Sequence, residues 1–101
     1  MKSYVYIIQT VDNTLYCGFC LDIKKRYLEH SNKNSKKGAK YTKAHPPSKI
    51  VFLKAFEEKS LAYKEEYRIK KTLSRAQKLL LIEENKKETD FLLKENDLTF
   101  E

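Results

Sequence analysis

The chain has little of what would assign it to several broad classes. Its longest purely aliphatic run is Leu79–Ile82, far short of the ~20 apolar residues of a membrane-spanning helix. A membrane protein is therefore not expected. The start, MKSYVYIIQT, lacks an apolar core followed by a small-residue cleavage site, so no secretory signal is read there and a cytoplasmic location is expected. Cysteine is limited to Cys17 and Cys20. Two thiolates cannot close a structural zinc site. His30 and His45 could supply two more ligands, but the spacing matches no familiar zinc finger. A redox CxxC opens a helix after a strand, whereas Cys17 falls inside a strand-like segment and Cys20 just beyond it. Redox or zinc chemistry is the weakest reading of this pair. There is no tryptophan and no internal repeat, and 101 residues make one domain with a modest core.

Acid is absent from one long stretch. Between Ser31 and Ile50 there are six lysines and no Asp or Glu, whereas Glu83–Glu101 holds seven acids and three lysines. The net charge of +7 therefore gathers at one part of the molecule. A basic surface on a small domain points to a polyanion, nucleic acid ahead of membrane; solubility is the plainer use of the same charge. The charge pattern divides the chain into a domain at 1–85 and an acidic C-terminal extension at 86–101.

SYVYIIQT, Ser3–Thr10, is β-branched and aromatic and has strand length. Asp12-Asn13 signals a turn, and Thr14–Phe19 reads as the second strand of a hairpin. Asp22 can cap a helix to about Asn32, with Ile23, Tyr27 and His30 on one face. Ser31–Ser48 reads as a loop with one helical turn near Ala39–Thr42. Lys49–Phe56 is a third strand. Ser60 caps a helix to about Leu73, Ser74 another to about Asn85, and Thr89–Asn96 forms a last short helix. The order β-β-α-β-α-α gives an α+β fold: a small three-stranded, mostly antiparallel sheet flanked by helices.

Within that frame a few polar residues stand out. Ala62, Glu66, Ile69 and Leu73 form one helical stripe, so Glu66 lies on a face that should meet the core. A buried carboxylate needs a partner or a metal, although a bond to a tyrosine or lysine would also serve. Glu65 borders the same face and is a rival. Arg26 and His30 are i, i+4 neighbours able to act on one group. Arginine offers a planar fork for phosphate, and histidine can carry a proton near neutral pH. Tyrosine is abundant, seven in all. Tyr6 and Tyr16 lie in the strands, where tyrosines mostly pack but can also serve as a base or donor.

These residues resemble the GIY-YIG nucleases, in their small stand-alone bacterial-type branch. Tyr4-Val5-Tyr6 stands for GIY and Tyr16-Cys17-Gly18 for YIG, with Gly18 the structural glycine. LDIKKRYLEH, with Arg26 and His30, resembles the family's arginine helix. GAKYTK and AYKEEYRIKK resemble the stand-alone branch, in which the metal-binding Glu directly precedes a Tyr; that selects Glu66. The resemblance implies a DNA endonuclease dependent on Mg²⁺ or Mn²⁺, with low sequence specificity or selective for DNA structure, in repair or recombination. Glu66 would hold the metal and Arg26 would offset phosphate charge. Tyr16 or His30 would help take the water's proton, with Tyr6 hydrogen-bonded nearby. Lys24, Lys25, Lys36, Lys37, Lys40 and Lys43 would track the backbone of the DNA partner, branched or single-stranded forms included, with no small-molecule cofactor and no membrane. A reading from another class keeps the fold as a catalytically weak nucleic-acid-binding module acting with a protein partner.

A shared site has a geometric condition. Tyr6 and Tyr16 must face one side of the sheet. A two-residue Asp12-Asn13 turn would pair Tyr6 with Phe19 and place Tyr16 on the other face. An odd loop, such as Val11–Asn13, would pair Tyr6 with Gly18 and align the tyrosines, so a loop of three or five residues, or a bulge, is expected.

Overall fold

The computed structural model describes residues 2–32 and 40–100. In chain order the elements are β1 (Ser3–Thr10), β2 (Leu15–Cys20), α1 (Ile23–Ser31), α2 (Lys40–Ala44), β3 (Pro47–Phe56), α3 (Lys59–Thr72), α4 (Arg75–Glu84) and α5 (Lys86–Glu95). The strands form one antiparallel sheet in the order β2-β1-β3, so the apolar β1 is central and the two other strands are edges. Among the described residues no helix is long and apolar enough to cross a membrane.

The hairpin has the odd loop that a shared site requires. The Thr10 N–H donates to the Thr14 carbonyl at 2.9 Å, and the Asn13 N–H to the Thr10 carbonyl at 3.0 Å. Val11–Asn13 therefore make a three-residue loop, and Asn13 takes the left-handed position at φ 66°, which asparagine tolerates better than most residues. Tyr6 accordingly pairs with Gly18, and Ile8 with Tyr16.

Side-chain alternation on β1 splits the core in two. Tyr6 and Ile8 face a cluster with Cys20, Ile23, Ile50, Leu53, Leu92, Leu93 and Leu98. Val5 and Ile7 face Cys17, Phe52, Ala62 and Ile69, with Leu81 and Ile82 alongside. Thus α1 and α5 cover one face, and α3 and α4 the other. Cys17 and Cys20, three residues apart on a strand, point to opposite faces. Both are buried and free, with thiols pushed up to about 12 by burial. They share neither a disulfide nor a metal site.

Side-chain caps start two of the helices. Asp22 accepts from the Lys25 N–H at 3.2 Å at the start of α1. Ser74 and Gln77 form a reciprocal capping box before α4. Ser60 does not cap α3: the helix begins at Lys59 with Glu58 in the cap position and no side-chain cap bond, leaving Ser60 inside the first turn.

The acidic segment beyond residue 85 does not trail from the fold. Leu92, Leu93 and Leu98 are buried in the first core cluster, and Thr89 Oγ1 accepts from the Leu53 N–H at 3.1 Å. A helix thus covers the open edge of β3, which would otherwise present unpaired backbone groups. Leu93→Ala should therefore cost about 2–5 kcal/mol in urea unfolding, whereas Phe91→Ala on the same helix, where the ring is 62% exposed, should stay within about 0.5 kcal/mol.

Candidate functional site

The site begins where β1 and β2 touch. The Tyr6 ring lies across the backbone of Gly18, and a Cβ at that position would overlap the Tyr6 hydroxyl and ring carbons. Glycine is needed there for close approach. The Tyr6 hydroxyl is fully buried and sits 2.8 Å from His30 Nε2. His30 Nδ1 in turn lies 2.7 Å from Thr42 Oγ1. Arg26 is hydrogen-bonded to the Tyr6 hydroxyl and pairs with Glu29 at 3.2 Å.

The donors can be assigned by elimination. Arginine only donates, so the Tyr6 oxygen accepts from Arg26 and its proton is directed to His30 Nε2. That leaves the His30 Nδ1–H to donate to Thr42. Burial, and then the neighbouring Arg26 charge, lower the His30 pKa to about 4, so the imidazole is neutral at pH 7. Burial pushes the Tyr6 phenol well above its ordinary value, against the pull of Arg26. Both groups hold their protons at neutral pH in fixed directions.

Tyr16 stands at the border of this cluster. Its ring centroid is 6.5 Å from Tyr6 and 5.3 Å from His30. Tyr41 of α2 stacks on it at 5.6 Å and 22°, and His45 stacks on Tyr41 at 4.5 Å. His45 Nδ1 meets Asp12 Oδ2 of the hairpin loop at 2.6 Å. The helix α2 is thus tied to α1 by Thr42 and to the sheet by an aromatic stack.

Glu66 approaches from the opposite side of the sheet. It lies on α3 between the buried Ala62 and Ile69, with its side chain 21% exposed. Lys70 links it to the tyrosine face: its ammonium is 3.8 Å from the Glu66 carboxylate and 5.5 Å from the Tyr16 ring centroid. Glu65 is engaged elsewhere. Both of its oxygens accept from Arg68, at 2.6 and 3.0 Å, and that bond holds its carboxyl below the usual range. Of the two neighbouring carboxylates, Glu66 is the one with lone pairs to spare. Among the described residues no three of His, Cys, Asp and Glu converge as a ready metal cage. A lone carboxylate fits Mg²⁺ or Mn²⁺, hard ions that keep several waters and complete their shell with phosphate oxygens.

Of the residues singled out in the sequence, Tyr6, Tyr16, Gly18, Arg26 and His30 meet on one face, and Glu66 reaches the same sheet edge through Lys70. Lys24, Lys25, Lys40 and Lys43 are exposed on α1 and α2, the helices that carry Arg26 and Thr42. Lys36 and Lys37 lie outside the described residues. Sequence reasoning missed Thr42, Tyr41 and Lys70. Lys70 was readable as an i+4 partner of Glu66, whereas the two α2 contacts cross the fold and leave no local signal.

A tyrosine-bearing hairpin, an arginine helix and a glutamate on the helix after the third strand are set on one small α+β domain. The chain belongs to the GIY-YIG family: residues 2–80 match the model of the GIY-YIG catalytic domain. It is similar to a UPF0213 protein of Staphylococcus saprophyticus, 47% identical over 83 residues, which are 82% of this chain and 96% of that one. A UPF0213 protein of Syntrophus aciditrophicus is 48% identical over 84 residues, 83% and 93% of the two chains. The solution NMR structure of a UPF0213 protein from Bacillus halodurans aligns with a TM-score of 0.55 at 37% identity, covering 85% of this chain and 87% of that one.

Two outcomes follow from the buried cluster. Gly18→Ala should force Tyr6 away from His30 and cost about 1–3 kcal/mol in chemical unfolding, as overpacking does. The His30 pKa, about 4 when folded, lies below its unfolded value of about 6.5. The unfolded chain then binds more protons in that window, so stability should fall as pH drops from about 6.5 to about 4. Thermal melts across pH should show that slope in the parent and a flatter one in His30→Gln.

Proposed function

We propose that this chain is an endonuclease that hydrolyses phosphodiester bonds in DNA with the aid of Mg²⁺ or Mn²⁺. Its choice of cutting site would follow DNA structure more than sequence, and repair or recombination is the setting such an activity would serve. The observation that carries this reading is the contrast between the two adjacent carboxylates. Glu65 is saturated by Arg68, whereas Glu66 is held only by a long, half-open contact to Lys70 beside Tyr16. A partly exposed ion pair of that kind contributes about 0–1 kcal/mol, so a divalent ion and a phosphate can displace it.

When bound at Glu66, the metal supplies a Lewis acid that draws charge from a phosphodiester oxygen. The chain's own residues do the rest. Arg26 presents a fixed positive charge where negative charge grows on the phosphate. Its bond to Tyr6 keeps the fork aimed. His30 is a positioning residue in this scheme: with both ring nitrogens engaged and a pKa of about 4, it orients Tyr6 and does not accept the proton of water. Tyr16 is left for that step: its hydroxyl has no hydrogen bond among the described residues, and after releasing its own proton to solvent it takes the water's proton as the phenolate. Lys24, Lys25, Lys40 and Lys43 meet the phosphate backbone, which makes binding salt-dependent.

The test is nicking of supercoiled plasmid with Mg²⁺ or Mn²⁺, against EDTA. Arg26→Ala should lower the rate about 10²–10³-fold, as loss of one charge-stabilising donor does, and Glu66→Ala should lower it comparably. Glu65→Ala should cut like the parent. Equal cutting by the parent and Glu66→Ala would overturn the site. Salt-sensitive binding with no cutting would favour a nucleic-acid-binding module that works with a partner.

A further inference from the structure

The outward side of α3 carries more aromatic surface than a solvated helix needs. Tyr67 is 64% exposed and Tyr63 48%. They are one turn apart, at i and i+4, so they share a face. Tyr63 is anchored: its ring stacks on Phe19 of β2 with centroids 4.2 Å apart and planes at 21°. Lys59 Nζ lies 5.7 Å from the same ring. The helix holds five cations against two carboxylates, and Lys64 and Lys71 stand exposed on it. Rings set among cations are the combination that holds single-stranded nucleic acid, since the cations meet phosphates and every base offers a face for stacking. The bases of an intact duplex are stacked on each other and offer a surface ring no such face.

Placement relative to the site defines the substrate. Tyr63 and Lys70 are seven residues apart on α3, about 10 Å at the ~1.5 Å rise of a helix. Tyr63 rests on Phe19 and Lys70 on Tyr16, which face opposite sides of β2, with Glu66 between the two on α3. That span matches about three stacked nucleotides at ~3.4 Å each. We propose, resting on the phosphodiester-cleaving reading of the neighbouring site, that Phe19, Tyr63 and Tyr67 form a stacking platform for unpaired bases beside the scissile phosphate. The substrate class is then DNA with a single-stranded stretch next to the cut, such as a flap, a bubble or a branch end.

The experiment separates binding from cutting. The full chain carrying Glu66→Ala is titrated in EDTA, at fixed salt, against a fluorescein-labelled single-stranded oligodeoxynucleotide and against the blunt duplex of the same sequence. Anisotropy should show tighter binding of the single strand. Adding Tyr67→Ala should weaken single-strand binding roughly tenfold, the scale of one lost base–ring stack, and leave duplex binding unchanged. Tyr63→Leu, which keeps an apolar contact with Phe19, should act in the same direction, with thermal melts confirming that both variants fold. No loss in either variant, an equal loss on both DNAs, or a change only in oligomeric state on size exclusion would overturn the platform. If plasmid nicking fails while the single-strand preference persists, the catalytic reading falls and the platform stands; the reverse pattern removes the platform alone.

Discussion

A buried hydroxyl without a hydrogen bond costs on the order of 1–3 kcal/mol, and Tyr6 places its hydroxyl in the middle of a sheet face with almost no exposure. His30 Nε2 at 2.8 Å and the Arg26 guanidinium satisfy it. That arrangement needs the ring to lie flat across β2, which only Gly18 permits. It also needs Gly18 to stand opposite Tyr6, which only an odd hairpin loop provides. The loop, the glycine, the tyrosine and the helix α1 are therefore one connected constraint, and a change in any of them is felt by the others.

The same bond propagates outward. Because Tyr6 directs its proton to Nε2, the imidazole must donate from Nδ1, and Thr42 is the acceptor. Thr42 brings α2 with it, and α2 brings Tyr41 onto Tyr16. Tyr16 thereby has its ring held by packing while its hydroxyl is unclaimed among the described residues. Tyr6 has the opposite lot: fully bonded, buried and resistant to losing its proton. Two tyrosines of like chemistry acquire different roles from burial and partners alone.

Much of this was legible in the sequence where the signal is local. β-Branched and aromatic content over strand length marked β1, Asp22 and Ser74 marked helix starts, and side-chain parity called for an odd hairpin loop or a bulge. The stripe Ala62–Glu66–Ile69 placed Glu66 against the sheet. Three features escaped. The start of α3 was misread because a serine invites a cap, whereas the cap position lies two residues earlier, at Glu58, and carries no side-chain bond. The depth of α5 was hidden by its charge: seven acids between Glu83 and Glu101 marked an acidic extension, and the buried i, i+3, i+4 stripe of Thr89, Leu92 and Leu93 was not singled out within it. The partner of His30 was invisible because Thr42 lies twelve residues away, in a segment whose composition reads as loop.

The position of Glu66 has a topological cause. Tyr6, Tyr16 and Arg26 belong to one face of the sheet, and α3 packs on the other. A central strand would separate them completely. β2 is an edge strand, so side chains from both faces can meet around it, and Lys70 does so by touching Glu66 on one side and Tyr16 on the other. Exposed edges invite unwanted strand pairing. Here Tyr63 and Lys70 lie over Phe19 and Tyr16 along that edge, and a long, charged side chain such as Lys70 is itself a guard against pairing. The approach of Glu66 to the tyrosine face, and the cover that an edge strand needs, are met by the same turns of α3.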